Sequence, residues 1–335
     1  MKRTKRVLGL ALAAVMCMGL LAGCGGTPSN SDTADETSGT ETSEKVLNIA
    51  TIGETTTLSP LYMIADNRPT QKLLYEGLVK YVDGEIQPVL AEDWELSEDG
   101  TQLTFYLRQG VTFHDGEPFN AEAAIANIES WHINPSFASL PGVVNYTNIE
   151  AVDEYTIRLT YDTPYFAYIN DFCWPDVCTM ISPKLITQGD FQTVNGYAGT
   201  GPYVYDEYVA GQYTTFVRNE NYWGEQPYYD KIVAKYIPDN ASRVQALQTG
   251  EIDLIYGSAE LSYEDYNQAT AIEGIEGKFA PSGSTIRNII LNFNGNLADL
   301  SVRQALAYAI DKGAISEGLT YGYEPVADTI VPDGT

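Results

Sequence analysis

An apolar and β-branched run, Val46-Leu47-Asn48-Ile49-Ala50-Thr51-Ile52, predicts the first strand of the chain. Leu73, Leu74 and Leu78 then share one face of a helix. Trp94 to Leu96, the turn Ser97-Glu98-Asp99-Gly100 and the alternating Leu103-Thr104-Phe105-Tyr106-Leu107-Arg108 predict a hairpin. A second turn at His114-Asp115-Gly116 leads to Asn120, a good N-cap for an Ala-rich helix reaching Trp131. Strands are predicted at 156–160, 203–208, 213–218, 232–237 and 252–256, with a helix from Ala241 that stops at Gly250. A strand at 285–293 and a helix at 302–310 close the pattern. Antiparallel hairpins mix with strand–helix–strand units, so the fold class is α/β with more than one sheet.

The first 24 residues follow a different pattern. Lys2, Arg3, Lys5 and Arg6 precede an apolar run from Val7 to Leu21, which ends in Leu21-Ala22-Gly23-Cys24. The basic end stays cytoplasmic, the apolar stretch is too short for a stable span, and small residues open a cleavage site. This is the pattern of a bacterial lipoprotein signal over residues 1–23, with Cys24 as the lipidated residue. From Gly25 to Lys45 the chain is dominated by Gly, Ser, Thr, Asp, Glu and Asn and cannot bury enough surface to fold. Residues 24–45 thus read as a lipidated Cys and a flexible tether with a reach of roughly 25 Å. The globular part should work outside the cytoplasm, anchored to the membrane.

Charge and cysteine content narrow the partners. Removing those four basic residues from 19 leaves 15 against 45 acidic ones, a net charge of −30. Nucleic acid is excluded as a partner by that sign, and an anionic lipid surface repels such a domain beyond its anchor. Of four Cys, Cys17 leaves with the signal and Cys24 takes lipid, so Cys173 and Cys178 remain, as a disulfide or as two thiols.

Catalytic signatures are missing from the sequence. It has two His and no G-x-S-x-G, H-E-x-x-H or phosphate-cradling G-x-x-x-x-G-K-[ST] motif, so no enzyme, cofactor or metal site is expected. Gly199-Thr200-Gly201-Pro202 reads as a tight turn, and His114 as a turn hydrogen-bonder. The 24 Tyr supply flat apolar faces with polar tips, suited to gripping a small solute without covalent chemistry. Aromatics in loop-like sequence stand out: Tyr62-Met63 before Arg68, Trp131-His132, and Cys173-Trp174-Pro175-Asp176. Tyr62, Met63, Arg68, Trp131, Trp174 and Asp176 are therefore the candidate ligand-binding residues.

Several stretches, taken in order, resemble the extracellular solute-binding proteins of the peptide and nickel branch of ABC importers, family 5. They include 74–79 (Leu-Tyr-Glu-Gly-Leu-Val), 88–94 (Pro-Val-Leu-Ala-Glu-Asp-Trp), 97–108, 111–119 (Val-Thr-Phe-His-Asp-Gly-Glu-Pro-Phe) and Gly199 to Tyr203. Arg218 to Gly224, Gly250 to Asp253 and Val302 to Asp311 complete the series. The resemblance implies a type II periplasmic-binding-protein-like fold. In it, two lobes close over a solute, and the complex is delivered to a membrane permease. It places the first lobe at 46–300, with an inserted subdomain at about 85–200. A second lobe would begin at 301–335, and most of it would be missing from this chain. The nickel branch has an Arg on a cleft segment where this sequence aligns Asp176 and Thr179.

The sequence thus reads as a monomeric, lipid-anchored binding component on the extracytoplasmic face of the cell membrane, capturing a di- or oligopeptide for a permease. A nickel chelate or an oligosaccharide is the alternative solute within the same importer class. A signalling receptor of the same fold and a surface hydrolase working through paired carboxylates are more distant readings.

Overall fold

Residues Val46–Thr51 form strand β1, and burial deepens along it from half-buried Val46 to buried Thr51. The computed structural model describes residues 44–62, 68–82, 84–174, 178–186, 196–256, 261–279 and 287–327. Helix α1 (Arg68–Leu74) follows, then an antiparallel ribbon of β2 (Val79–Val82) and β3 (Glu85–Pro88). Strands β4 (Ala91–Leu96) and β5 (Gln102–Leu107) make the expected hairpin, with Ser97 Oγ and Asp99 Oδ1 accepting the Thr101 amide in its turn. Helix α2 (Ala121–His132) starts where Asn120 Oδ1 accepts the Ala123 amide at 3.0 Å. Then come α3 (Pro141–Val144), β6 (Tyr146–Asp153), β7 (Thr156–Tyr161) and α4 (Tyr168–Phe172).

The chain returns through β8 (Tyr203–Val209), β9 (Tyr213–Arg218) and β10 (Lys231–Tyr236). Helix α5 (Asn240–Thr249) is capped by Asp239 and ends at Gly250, whose φ of 71° is left-handed, as the sequence predicts. Strand β11 (Leu254–Ile255), α6 (Tyr263–Thr270), α7 (Leu300–Ala309) and α8 (Lys312–Thr320) finish the described chain.

Two sheets carry the architecture. One has the order β11-β1-β10-β9-β8, with β11, β1 and β10 mutually parallel and β9 and β8 antiparallel. Ile49, Phe216, Ile232 and Ala234 on one side of it pack with Leu58, Leu74, Tyr75 and Ile181. Ala50 on the other side meets Ala246 of α5 and Ile252. The second sheet, β4-β5-β7-β6, is antiparallel and lies between β1 and β8 in sequence. Its buried face, Leu103, Phe105, Leu107, Ile157 and Leu159, packs with Ala124, Ile128 and Trp131 of α2. Phe137, Val143 and Phe172 complete that core.

The expected strand at 285–293 is not formed over the described residues 287–293, and Ile289, Ile290 and Phe293 are exposed there. A strand needs a neighbour to take its backbone groups, and no described strand pairs with this one. The strand expected at 252–256 shortens to Leu254 and Ile255, the two residues that pair with Ile49 and Ala50 of β1. Tyr263 and Tyr266 of α6 gather with Phe279 and Tyr323, ring centroids 4.4 to 6.1 Å apart. Glu324 ties the cluster to Arg287 Nε at 2.7 Å and accepts from Tyr263 Oη at 2.5 Å.

Candidate functional site

In open sheets with parallel strands, ligands sit beyond the carboxyl ends of those strands. Here that edge is where β1 leaves at Thr51, β10 at Tyr236 and β11 at Ile255, and the β8–β9 turn falls on the same side. Tyr208, Tyr213, Tyr236 and Tyr256 all lie at this edge, Tyr256 half exposed at 51%. Glu54, just past β1, accepts from Tyr208 Oη at 2.6 Å and from the Gly211 amide at 2.5 Å. The Tyr208 hydroxyl, followed by the Gly211 amide, holds the Glu54 carboxyl below the usual range. Thr51, Glu54, Tyr208, Tyr213 and Tyr236 close over a packed seam, so a solute would meet this edge as a surface.

From that edge the chain runs to Tyr62 without regular secondary structure, yet Leu58, Ser59 and Leu61 are buried. Its carbonyls are taken by two side chains from other elements. Gln71 Nε2 of α1 donates to Ser59 O at 2.8 Å, and Asn134 Nδ2, just past α2, donates to Leu61 O at 2.8 Å. Ser59 N–H bonds to Thr57 Oγ1 and Leu61 N–H to Ser59 Oγ. Tyr62 emerges half-buried from this clamped segment.

The candidate residues fare differently. Leu61, Trp131, Cys173 and Cys178 belong to one core, so the three aromatic-bearing stretches share a root. Trp174 is 51% exposed. Trp131 is fully buried, stacked on Phe137 with centroids 5.9 Å apart, and its Nε1 has no hydrogen-bond partner among the described residues. Its place on the inner face of α2 makes it a core residue, which corrects the ligand assignment. Cys173 and Cys178 are free, buried thiols, so the disulfide reading is not the one observed. Cys178 Sγ instead donates to Asp171 O at 3.4 Å. Cys24, Met63 and Asp176 lie outside the described residues, as does the side chain of Arg68, which opens α1.

The His114 ring hydrogen-bonds not within its own turn but to the distant Gly199–Gly201 loop. Its Nδ1 accepts the Gly199 amide at 3.2 Å and its Nε2 donates to Gly201 O at 2.9 Å, so both ring nitrogens are committed. Glu76 holds the same loop from the other side. Its carboxylate accepts from Thr200 Oγ1 at 2.9 Å, Tyr222 Oη at 2.7 Å and Trp223 Nε1 at 2.8 Å. Burial raises the Glu76 carboxyl above the usual range against these three donors. Arg108 lies 4.4 Å over the Trp223 ring. The Gly-Thr-Gly loop is therefore a packed joint and cradles no phosphate.

The edge tyrosines, Glu54, Gln71 and Asn134 escaped the sequence reading. Tyr at the ends of predicted strands was the available signal for the first group; the two amides left none.

Residues 85–335 match the model of bacterial extracellular solute-binding proteins, family 5 Middle. The nickel-binding periplasmic protein of Escherichia coli (strain K12) is 34% identical over 285 residues, covering 82% of this chain and 53% of that protein. NikA from Brucella suis, solved in complex with Fe(III)-EDTA, is similar with a TM-score of 0.78 at 31% identity, over 87% of this chain and 59% of that one. DppA from Helicobacter pylori, solved in complex with the peptide STSA, gives 0.67 at 25% identity, over 83% and 59%. The chain thus spans about half the length of the curated relatives it matches. No described helix is long and apolar enough to cross a membrane. With three quarters of its length inside the family model, the chain belongs to the bacterial extracellular solute-binding proteins of family 5.

Proposed function

We propose that this chain is the solute-capturing component of an ABC importer, held at the extracytoplasmic membrane face by lipid on Cys24, and that its solute is a di- or oligopeptide. The tyrosine-lined edge of the parallel strands carries this reading. Flat rings with hydroxyl tips grip an extended backbone through contact area and hydrogen bonds. A relative solved with a bound peptide supports it. In this reading the sheet containing β1 and the sheet containing β5 make the first lobe, the second as an inserted subdomain. We put the start of the second lobe near α6 instead of at residue 301, a placement that the ring contact of Tyr263 with Tyr323 supports. Lobe closure then traps the solute and presents it to the permease.

A nickel chelate is the second reading, favoured by the nickel-binding relative at 34% identity. Both His114 nitrogens serve the fold, and no cluster of three or more His, Cys, Asp or Glu among the described residues is placed to hold a metal, so in this reading the metal arrives with ligands of its own. Native mass spectrometry of the protein released from membranes of its source cells tests both. A retained peptide supports the first reading and a metal-containing adduct the second. Turnover of a labelled peptide substrate would overturn both. The same spectrum reports the lipid on Cys24.

A further inference from the structure

Resting on that reading, and on Tyr62 as one of its solute contacts, we propose that Gln71 and Asn134 are positioning residues for solute capture: they fix the backbone from which Tyr62 projects without touching the solute. Among the described residues, 57–61 pair with no β-strand, and a segment outside a ladder ordinarily samples more conformations, at a cost to binding. Here two buried amides, 5% and 3% exposed, take backbone carbonyls of the segment. Gln71 fixes Ser59 O from α1, and Asn134 fixes Leu61 O from beyond α2. Asn134 is itself held, because its Oδ1 accepts the Ser136 amide at 3.0 Å and its own amide donates to Trp131 O at 3.0 Å. Tyr62 follows directly on the clamped Leu61 and its amide closes back onto Ser59 O at 3.3 Å. The ring therefore leaves the segment from a backbone tied to both cores, since Leu58 packs with the five-stranded sheet and Leu61 with α2. A contact residue so held loses little freedom when a solute docks, which is where preorganisation gains affinity.

The test uses the full-length gene product and a casein hydrolysate as the peptide probe. Retained peptides are read by native mass spectrometry, and the dissociation constant of the most retained peptide by calorimetry. Asn134→Asp and Gln71→Glu keep the side-chain shape but set a carboxylate oxygen against a carbonyl. Each should weaken binding about tenfold and speed amide exchange across 57–62 while exchange in α2 is unchanged. In a Tyr62→Ala background the same substitutions should cost almost nothing further. If Tyr62→Ala weakens binding but Asn134→Asp and Gln71→Glu add their full effects to it, the positioning role is wrong and the solute reading stands. If wild-type protein retains no peptide, the solute reading falls, and this inference with it. Should Asn134→Asp fail to fold, Gln71→Glu alone runs the same cycle.

Discussion

The Asn127 side chain pairs with the backbone of Ile181 in both directions, Nδ2 donating to its carbonyl at 2.9 Å and Oδ1 accepting its amide at 3.0 Å. A helix residue thereby does what a neighbouring strand would do, 54 positions away in sequence. Asn127→Leu keeps the volume but leaves both buried backbone groups of Ile181 unpaired. The expected loss is about 2–5 kcal/mol, read as a lower urea midpoint at unchanged slope. A midpoint equal to wild type would show that water replaces the amide at no cost.

His114 makes stability depend on acid pH. Burial, ahead of any other cause, holds its pKa below the usual 6.5, and Nδ1 faces a donor, the Gly199 amide. The Gly201 and Tyr197 carbonyls and the Asp115 charge favour the protonated ring, more weakly. A lowered histidine contributes stability that is complete above the unfolded value and lost as pH falls through the folded one. Glu76 runs the other way, since its raised carboxyl contributes stability at low pH that is lost as pH rises through the folded value. Thermal midpoints of His114→Gln in a Glu76→Gln background should therefore flatten between about pH 7 and pH 5, against a falling parent. Parallel curves would remove His114 from the acid limb.

Gly199 admits no side chain. A Cβ there would lie 2.0 Å from Leu74 O, and at Gly201 one would lie 2.6 Å from Leu73 O. Backbone is the obstacle in both cases, so Gly199→Ala should destabilise by at least about 3 kcal/mol, more than Gly201→Ala. Equal urea midpoints for the two would mean that the joint moves aside easily.

The two thiols should be unreactive in the native chain. Burial pushes Cys173 up to about 11 and Cys178 well above its ordinary value, and the nucleophile is the thiolate. Iodoacetamide at mildly alkaline pH should label neither until urea is added. Fast native labelling would show that the α4 end opens often.

Ile289, Ile290, Phe293, Tyr308 and Leu319 are each more than three-fifths exposed. A chain of this sequence should self-associate in sedimentation runs, and Ile290→Lys with Phe293→Lys should reduce that at unchanged circular dichroism. A monomeric wild-type chain would contradict it.

Features that depend on neighbouring residues were legible in the sequence. Ser97 to Gly100 turns the β4–β5 hairpin, Asn120 caps α2 and Gly250 stops α5, because turn and cap chemistry acts within four positions. The α/β class and the family resemblance follow from such pieces in order. The expected strand is not formed over the described residues 287–293, because an apolar run is local but strand pairing is not.

What the chain alone determined, then, is the set of local elements and the absence of recognisable catalytic motifs. Tertiary structure decided the rest: that Trp131 packs inside while Trp174 stands out, that four tyrosines share one sheet edge, and that the Cys pair is left as thiols. It also decided that Thr200 reaches Glu76 across 124 positions and that Asn134 reaches Leu61 across 73. The physical reason is common to all of them. Burial and hydrogen-bond satisfaction are settled by whichever groups the fold brings into contact, and no local pattern records that encounter.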